Sequence, residues 1–281
     1  MATELKAILI ILAVLAGLCL FVTLGVLFLL APGKRRREIE KYKTVKFAHR
    51  GLHGEGVAEN SISAFAAAKR EGFGIELDVQ LSSDGELVVF HDATLNRVCG
   101  VEGRVKDFTA AQLSRLSLLG TAEGIPTLSQ VLELIDGSVP LLIEIKMENG
   151  EHGIAEKLVS VIEGYKGDFI VESFNPLGLR VIKKLRPDVL RGILSCEYMK
   201  RDEYKGKLLY RLLENLMLNF LMRPDFIAYE QVGYANGFLR FIRRAFAPPL
   251  FAWTVKSADE ETQAISHGFD TVIFEGYMPE K

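Results

Sequence analysis

From residue 44 onward the sequence alternates between two periodicities, and few folds accommodate that alternation. Short runs rich in Val, Ile and Phe recur at 44–49, 74–80, 86–91, 140–146, 168–173, 190–195, 225–229, 250–255 and 271–274. Between most of them stand helical patterns such as SISAFAAAKREG, TLSQVLELIDG, GIAEKLVSVIEGY, PLGLRVIKKLRP and SADEETQAISHG. Strand–helix alternation implies a mainly parallel sheet. About eight such units in about 240 residues predict a closed (β/α)8 TIM barrel. A doubly wound open sheet is the alternative, and no GxGxxG or GxxxxGK[ST] loop speaks for it. Only LSSDG separates the second and third runs. That is too short for a crossover helix, and Asp84-Gly85 is a hairpin signal. Nine runs for eight barrel places predict a distorted barrel or an extra terminal strand.

Ahead of this region, residues 7–31 carry no charge: AILIILAVLAGLCLFVTLGVLFLLA. As a helix they span roughly 37 Å, enough for a bilayer core of about 30 Å with some tilt. A signal peptide has an apolar core of about 7–15 residues and a small-residue cleavage site. This run is longer and PGKRRR follows it, so a retained transmembrane helix is expected. Only Lys6 precedes it, whereas Lys34, Arg35, Arg36 and Arg37 follow. The positive-inside rule then places the globular part in the cytoplasm, as a single-pass protein of the cell membrane. The basic cluster can also meet anionic lipid. The expected layout is a transmembrane helix at 7–31, a basic juxtamembrane linker at 32–43 and a barrel at 44–281, with a small insertion at about 95–125.

A net charge of −2 over 281 residues gives no basic field for nucleic acid. Cys19, Cys99 and Cys196 lie far apart without a CxxC pair, which excludes a disulfide framework or zinc site and fits a reducing compartment.

Active sites of such barrels lie at the C-terminal ends of the strands. Several runs here end in polar residues: His49 and Arg50, Glu76 and Asp78, His91 and Asp92, Glu144 and Lys146, and Trp253. Side chains alternate along a strand, so Glu76 and Asp78 share a face, as do Glu144 and Lys146. Three carboxylates converging at the mouth would repel one another unless a counter-charge joined them. A hard divalent cation, Mg2+ or Ca2+, suits oxygen ligands. Asp92 is expected to hold His91 or a loop amide. His53, His152 and His267 fall in loops or helix ends and read as surface residues. The set fits phosphodiester cleavage: cationic groups neutralise phosphate oxygens, one histidine removes a proton and another returns one. Which histidine is acid and which is base stays open.

The motifs HRG (49–51), EN (59–60), IELDV (75–79), DGELVVFHD (84–92), EIK (144–146), SF (173–174) and WTV (253–255) resemble, in order, the glycerophosphodiester phosphodiesterase family over about 45–280. The resemblance implies a phospholipase-C-like TIM barrel that hydrolyses glycerophosphodiesters to glycerol phosphate and an alcohol. It implies His49 and His91 as the acid–base pair and Glu76, Asp78 and Glu144 as ligands of one divalent cation. Arg50 and Lys146 match phosphate-contacting positions, and Trp253 an aromatic beside the substrate glycerol. Glu59 and Asn60 are expected to brace the metal site. In the family the glycerol 2-hydroxyl attacks first, giving a cyclic phosphate that water opens.

The chain departs from the pattern at Ser61, where Thr is frequent, at Lys256 after WTV, where Asn is common, and at Glu275, where Asp is usual. Two apolar stretches, 207–222 and the basic 238–246, either dock near lipid or cover the outer face of the barrel. A lysophospholipase D acting on membrane lysolipids and a catalytically silent lipid or metabolite binder are the alternatives to a soluble-diester hydrolase.

Overall fold

The strand runs close on one another. In the computed structural model, which describes residues 2–147 and 153–280, the strands are β1 (Phe47–Ala48), β2 (Gly74–Leu81), β3 (Leu87–Val89), β4 (Leu141–Ile145), β5 (Phe169–Ser173), β6 (Arg191–Ser195), β7 (Phe226–Glu230), β8 (Leu250–Val255) and β9 (Thr271–Phe274). Their order is β1-β9-β8-β7-β6-β5-β4-β2-β3, and β1 also pairs with β2. That last pairing closes a parallel barrel from β1, β2 and β4–β9.

β3 is neither a barrel stave nor a terminal strand. β2 overshoots the barrel mouth, turns at Asp84-Gly85 (Gly85 N–H to Ser82 O, 3.0 Å), and β3 returns antiparallel with Val89 opposite Val79. The hairpin therefore brings the chain back down to the mouth at Phe90, whose N–H donates to Asp78 O at 2.9 Å.

The helices are α1 (Ala2–Leu30), α2 (Arg36–Glu40), α3 (Ile62–Glu71), α4 (Asn96–Cys99), α5 (Ala110–Leu113), α6 (Leu128–Ile135), α7 (Ile154–Val161), α8 (Pro176–Leu185), α9 (Leu208–Glu214), α10 (Asn219–Met222), α11 (Gly237–Phe246) and α12 (Ala258–Ser266). Ser61 caps α3 by accepting from Ala64 N–H at 3.1 Å, so serine does the work of threonine there. α4 and α5, with the 3-10 turn Val105–Asp107 between them, pack Val98, Val105 and Leu113 on Val88 and Phe90, forming a separate apolar cluster beside the hairpin.

Inside the barrel the lower half is apolar. Phe226 stacks on Phe251 with centroids 4.6 Å apart, and Phe47 meets Phe251 at 5.9 Å. Ile39 of α2 and Tyr42 of the following 3-10 turn (Lys41–Thr44) plug this floor. The turn ends at Thr44, and the run then meets its neighbours at Lys46 O, which accepts from Gly74 N–H at 3.0 Å, before forming strand at Phe47–Ala48. Each such phenylalanine contributes about 1.5–3 kcal/mol by burial.

α1 is exposed along its apolar length and is long enough to cross a membrane. Only its end docks on the barrel: Leu30 is buried, and Phe28 meets Phe220 at 5.8 Å. Asn219 Nδ2 donates to Leu30 O at 3.1 Å, and Arg223 donates to Phe28 O and Ala31 O at 2.9 Å each. Arg35 then pairs with Asp225 and donates to Pro187 O and Val189 O, beside the first residues of β6 and β7. The apolar helix thus joins the barrel at the N-terminal face of its strands. Residues 216–222 owe their apolar character to this packing; Leu208 and Leu209, by contrast, stay exposed. In α11, Leu239 and Ile242 face the barrel.

Candidate active site

Alternation along β2 sends Ile75, Leu77 and Val79 out beneath the helices and Glu76 and Asp78 inward. β4 does the same with Glu144 and β5 with Glu172. The register sets Asp78 beside Glu144, and Glu144 beside Glu172. One carboxylate oxygen each from Glu76, Asp78 and Glu144 lies within 4.8 Å of the others, all three residues being buried. Lys146 Nζ stands 2.9 Å from Asp78 Oδ1 and 2.8 Å from Glu144 Oε1.

This cluster is short of positive charge. Burial, then Asp78 and Glu144, push the Glu76 carboxyl well above its usual range. Burial raises Glu144 to about 7 although Lys146 pulls it down. Burial also raises Glu172, helped by Glu76 and Glu144. Asp78 goes the other way: burial opposes its charge, but Lys146, His91 and Arg50 hold it ionised. An all-oxygen, buried, under-neutralised donor set fits a hard divalent cation.

The chain enters this site through a turn that only glycine can complete. Arg50 and Gly51 have φ of 55° and 81°. A Cβ on Gly51 would lie 2.8 Å from the carbonyl carbon of Ala64. The turn aims Arg50 N–H at Glu76 Oε2 (2.9 Å) and brings Arg50 Nε to 3.5 Å from Asp78 Oδ2. His49 Nδ1 lies 2.8 Å from Glu275 Oε2, and its Nε2 faces Glu76 Oε2 at 4.0 Å. The glutamate that departs from the family pattern thus orients a histidine.

His91 arrives by the hairpin return, not at the end of a barrel stave as the sequence suggested. Its Nδ1 lies 2.7 Å from Asp92 Oδ1. Arg97 bridges Asp92 (Nε to Oδ2, 2.6 Å) and Glu59 (Nη2 to Oε1, 2.7 Å). Glu59 in turn accepts from Arg50 Nη1 at 2.7 Å. Asn60 Nδ2 donates to Asp78 Oδ2 at 2.8 Å. One chain of ion pairs therefore runs from His91 to Arg50 around the carboxylates. Burial lowers both histidines below the usual imidazole value, although Glu275 pulls His49 and Asp78 pulls His91 back up.

His49, Arg50, Glu76, His91, Glu144, Lys146 and Trp253 line one cavity of about 80 Å3, with Glu172, Phe174 and Leu194. The Trp253 indole meets Phe174 edge-on at 5.3 Å. His91, Glu144, Lys146 and Phe174 also line a larger open cleft of about 810 Å3. The sequence-derived candidates thus gather here, with Asp78, Glu59 and Asn60 just behind the cavity wall.

Glu172 and Arg97 escaped the sequence reading, and Glu275 was noted only as a departure from the family pattern. Glu172 carried a signal: FIVES repeats the inward spacing of LLIEI. Glu275 sat in a strand-end motif. Arg97 carried none, because its partner Glu59 is 38 residues away in sequence. His53 is half-buried near Glu275 and Glu59, with Nε2 enclosed, which corrects its reading as a surface residue. His267 stacks on Tyr234 away from the site. His152 lies outside the described residues.

Comparison with known proteins agrees with this geometry. The family model described as "Glycerophosphoryl diester phosphodiesterase family" matches residues 49–276. A glycerophosphodiester phosphodiesterase of Caldanaerobacter subterraneus is 43% identical over 244 residues, 82% of this chain and 93% of the relative. Among solved structures, an Oleispira antarctica phosphodiesterase in complex with the product sn-glycerol-3-phosphate superposes with a TM-score of 0.67 and 25% identity, covering 84% of this chain and 94% of the other. A glycerophosphodiester phosphodiesterase of Thermotoga maritima gives a TM-score of 0.62 and 28% identity, covering 82% and 94%. A match that starts at the site's first histidine and ends one residue past Glu275, on a barrel shared with solved relatives, leaves one assignment: this chain belongs to the glycerophosphoryl diester phosphodiesterase family.

Proposed function

We propose that this chain hydrolyses glycerophosphodiesters to glycerol phosphate and an alcohol. The observation that carries the reading is a pair of histidines in one cavity with three carboxylates, each histidine held through Nδ1 by its own carboxylate (Glu275 at 2.8 Å, Asp92 at 2.7 Å). That contact orients the ring and leaves Nε2 for proton transfer. Arg50 and Lys146 receive the phosphate. Trp253 and Phe174 pack against the glycerol, which matches the small cavity in size.

The roles of the histidines follow from where they face. His49 lines only the small cavity, and His91 lines the cavity and the cleft. His49 therefore takes the proton of the attacking glycerol hydroxyl. As the oxygen–phosphorus bond forms, the bond to the leaving alcohol breaks, and His91 protonates that oxygen as it departs toward the cleft. Water then opens the cyclic phosphate with the roles exchanged. Glu76, Asp78 and Glu144 would hold one Mg2+ or Ca2+, which when bound withdraws charge from the non-bridging phosphate oxygens.

We read α1 as a single membrane span with the barrel in the cytoplasm, supported by its exposed apolar length and the basic residues after it. Protease protection in sealed vesicles tests that reading. For the activity, the full chain in detergent should release glycerol phosphate from glycerophosphodiesters with Mg2+ or Ca2+ and stop with EDTA. Absence of release with either ion would overturn the proposal.

A further inference from the structure

We propose that the cleft beside the cavity is a leaving-group subsite that selects polyhydroxylated, anionic alcohols over cationic amino alcohols. This rests on the diesterase reading, because it concerns where the alcohol lies before it leaves. The cavity of about 80 Å3 has room for a three-carbon unit and little else. The alcohol must then lie in the cleft of about 810 Å3 that shares His91 and Lys146 with it.

One wall of the cleft is aromatic. Phe174 continues the ring of Trp253 and meets Tyr198 at 6.5 Å; Tyr198 meets Tyr204 and Tyr210 at 5.3 Å each. Tyr204 and Tyr210 lie 4.2 Å apart. Tyr198 stands nearly perpendicular to Tyr204, at 89°, and to Phe174, at 72°, so the rings interlock into one continuous wall for the carbon skeleton of a polyol.

The charges point the same way. Arg104 and Lys106 come from the insertion, and Arg201 from the connection between β6 and β7. Arg201 shares Glu230 at 3.1 Å. Among the described residues Lys106 makes no ion pair. Among the described residues Glu144 is the one acidic residue lining the cleft, and it belongs to the carboxylate cluster. A second negative charge on the alcohol meets a field of matching sign, and a trimethylammonium group meets like charge.

The test compares two diesters on the full chain in detergent, with Mg2+: bis(glycerophospho)glycerol, whose leaving group carries a further phosphate, and glycerophosphocholine. The expected result is a KM about tenfold lower for the anionic diester at low salt, falling toward equality in high salt. Exchanging Lys106→Glu and Arg201→Glu together should cut that ratio to about twofold or less, and the paired Gln exchange should fall between. Both side chains are exposed, and a melting curve checks that each variant is folded. Equal KM values for the wild type, or a ratio that survives the charge reversal, would overturn the subsite. Failure of the wild type to cleave either diester with Mg2+ and again with Ca2+ would overturn the diesterase reading and the subsite with it.

Discussion

His49 and Glu275 join the first and last strands of the barrel through a 2.8 Å contact at Nδ1. β1 and β9 are the seam where the barrel closes, with Phe47 in register with Ile273. The orientation of the proposed base therefore depends on closure of the fold. Glu275 itself is held down to about 2, first by its hydrogen bond to His49.

Glu275→Gln keeps the shape and removes the charge. Turnover should fall about 10- to 100-fold, the scale of losing an orienting carboxylate. The pH profile carries the sharper test. Burial lowers the His49 pKa and Glu275 raises it. Without Glu275 that pKa falls further, so the acid limb of kcat/KM should move to lower pH. A limb that stays in place would mean that another group is the base.

Metal binding should be visible without turnover. Adding Ca2+ or Mg2+ to about 100 times its Kd should stabilise the fold by about 2.7 kcal/mol, raising Tm by roughly 5–10 °C for a domain of this size. Asp78→Asn should abolish the rise. Scanning fluorimetry with EDTA and each ion measures it, and a rise that persists in the variant would exclude these carboxylates as the ligands.

Glu172 offers a linkage test. Its carboxyl is raised well above the usual range by burial and by Glu76 and Glu144. The folded state therefore holds its proton more tightly than the unfolded chain. That contribution is complete below the unfolded pKa of about 4.3 and fades as pH rises through the raised value. Glu172→Gln should remove the dependence, so the variant should gain stability relative to wild type as pH rises from 5 to 8. Parallel stability curves would contradict the burial argument.

These cases show which parts of the site could be read in advance. Glu76, Asp78 and Glu144 were legible because the strand period fixes which side chains share a face, whatever the neighbouring strands do. Glu172 obeyed the same rule and was readable in principle. The route of His91 was not: the hairpin signal at Asp84-Gly85 was plain, but only the pairing of Val79 with Val89 shows that the chain returns to the mouth. Arg97 and the tyrosines of the cleft come from an insertion and a long connection. Their places depend on packing between distant segments, which no local period encodes. The same holds at the opposite end, where the floor is plugged by residues that precede the first strand.

That opposite end supplies the last prediction. Asp225 is almost fully buried; it pairs with Arg35 and accepts from Arg191 N–H at 3.1 Å. Arg35 also donates to the carbonyls of Pro187, Asp188 and Val189. Removing the carboxylate leaves Arg35 its three carbonyl acceptors but no counter-charge, and leaves the Arg191 N–H without an acceptor, at a cost of about 1–3 kcal/mol. Asp225→Ala should therefore lower Tm by roughly 5 °C. It sits at the N-terminal ends of the strands, the face that serves stability and not chemistry. At 25 °C, kcat/KM should then stay within about twofold of wild type, since the site at the other face is untouched. Calorimetry and the diester assay on one preparation measure both quantities. A large loss of activity without loss of Tm would show that the two faces are coupled, and that the docked end of α1 reaches the chemistry.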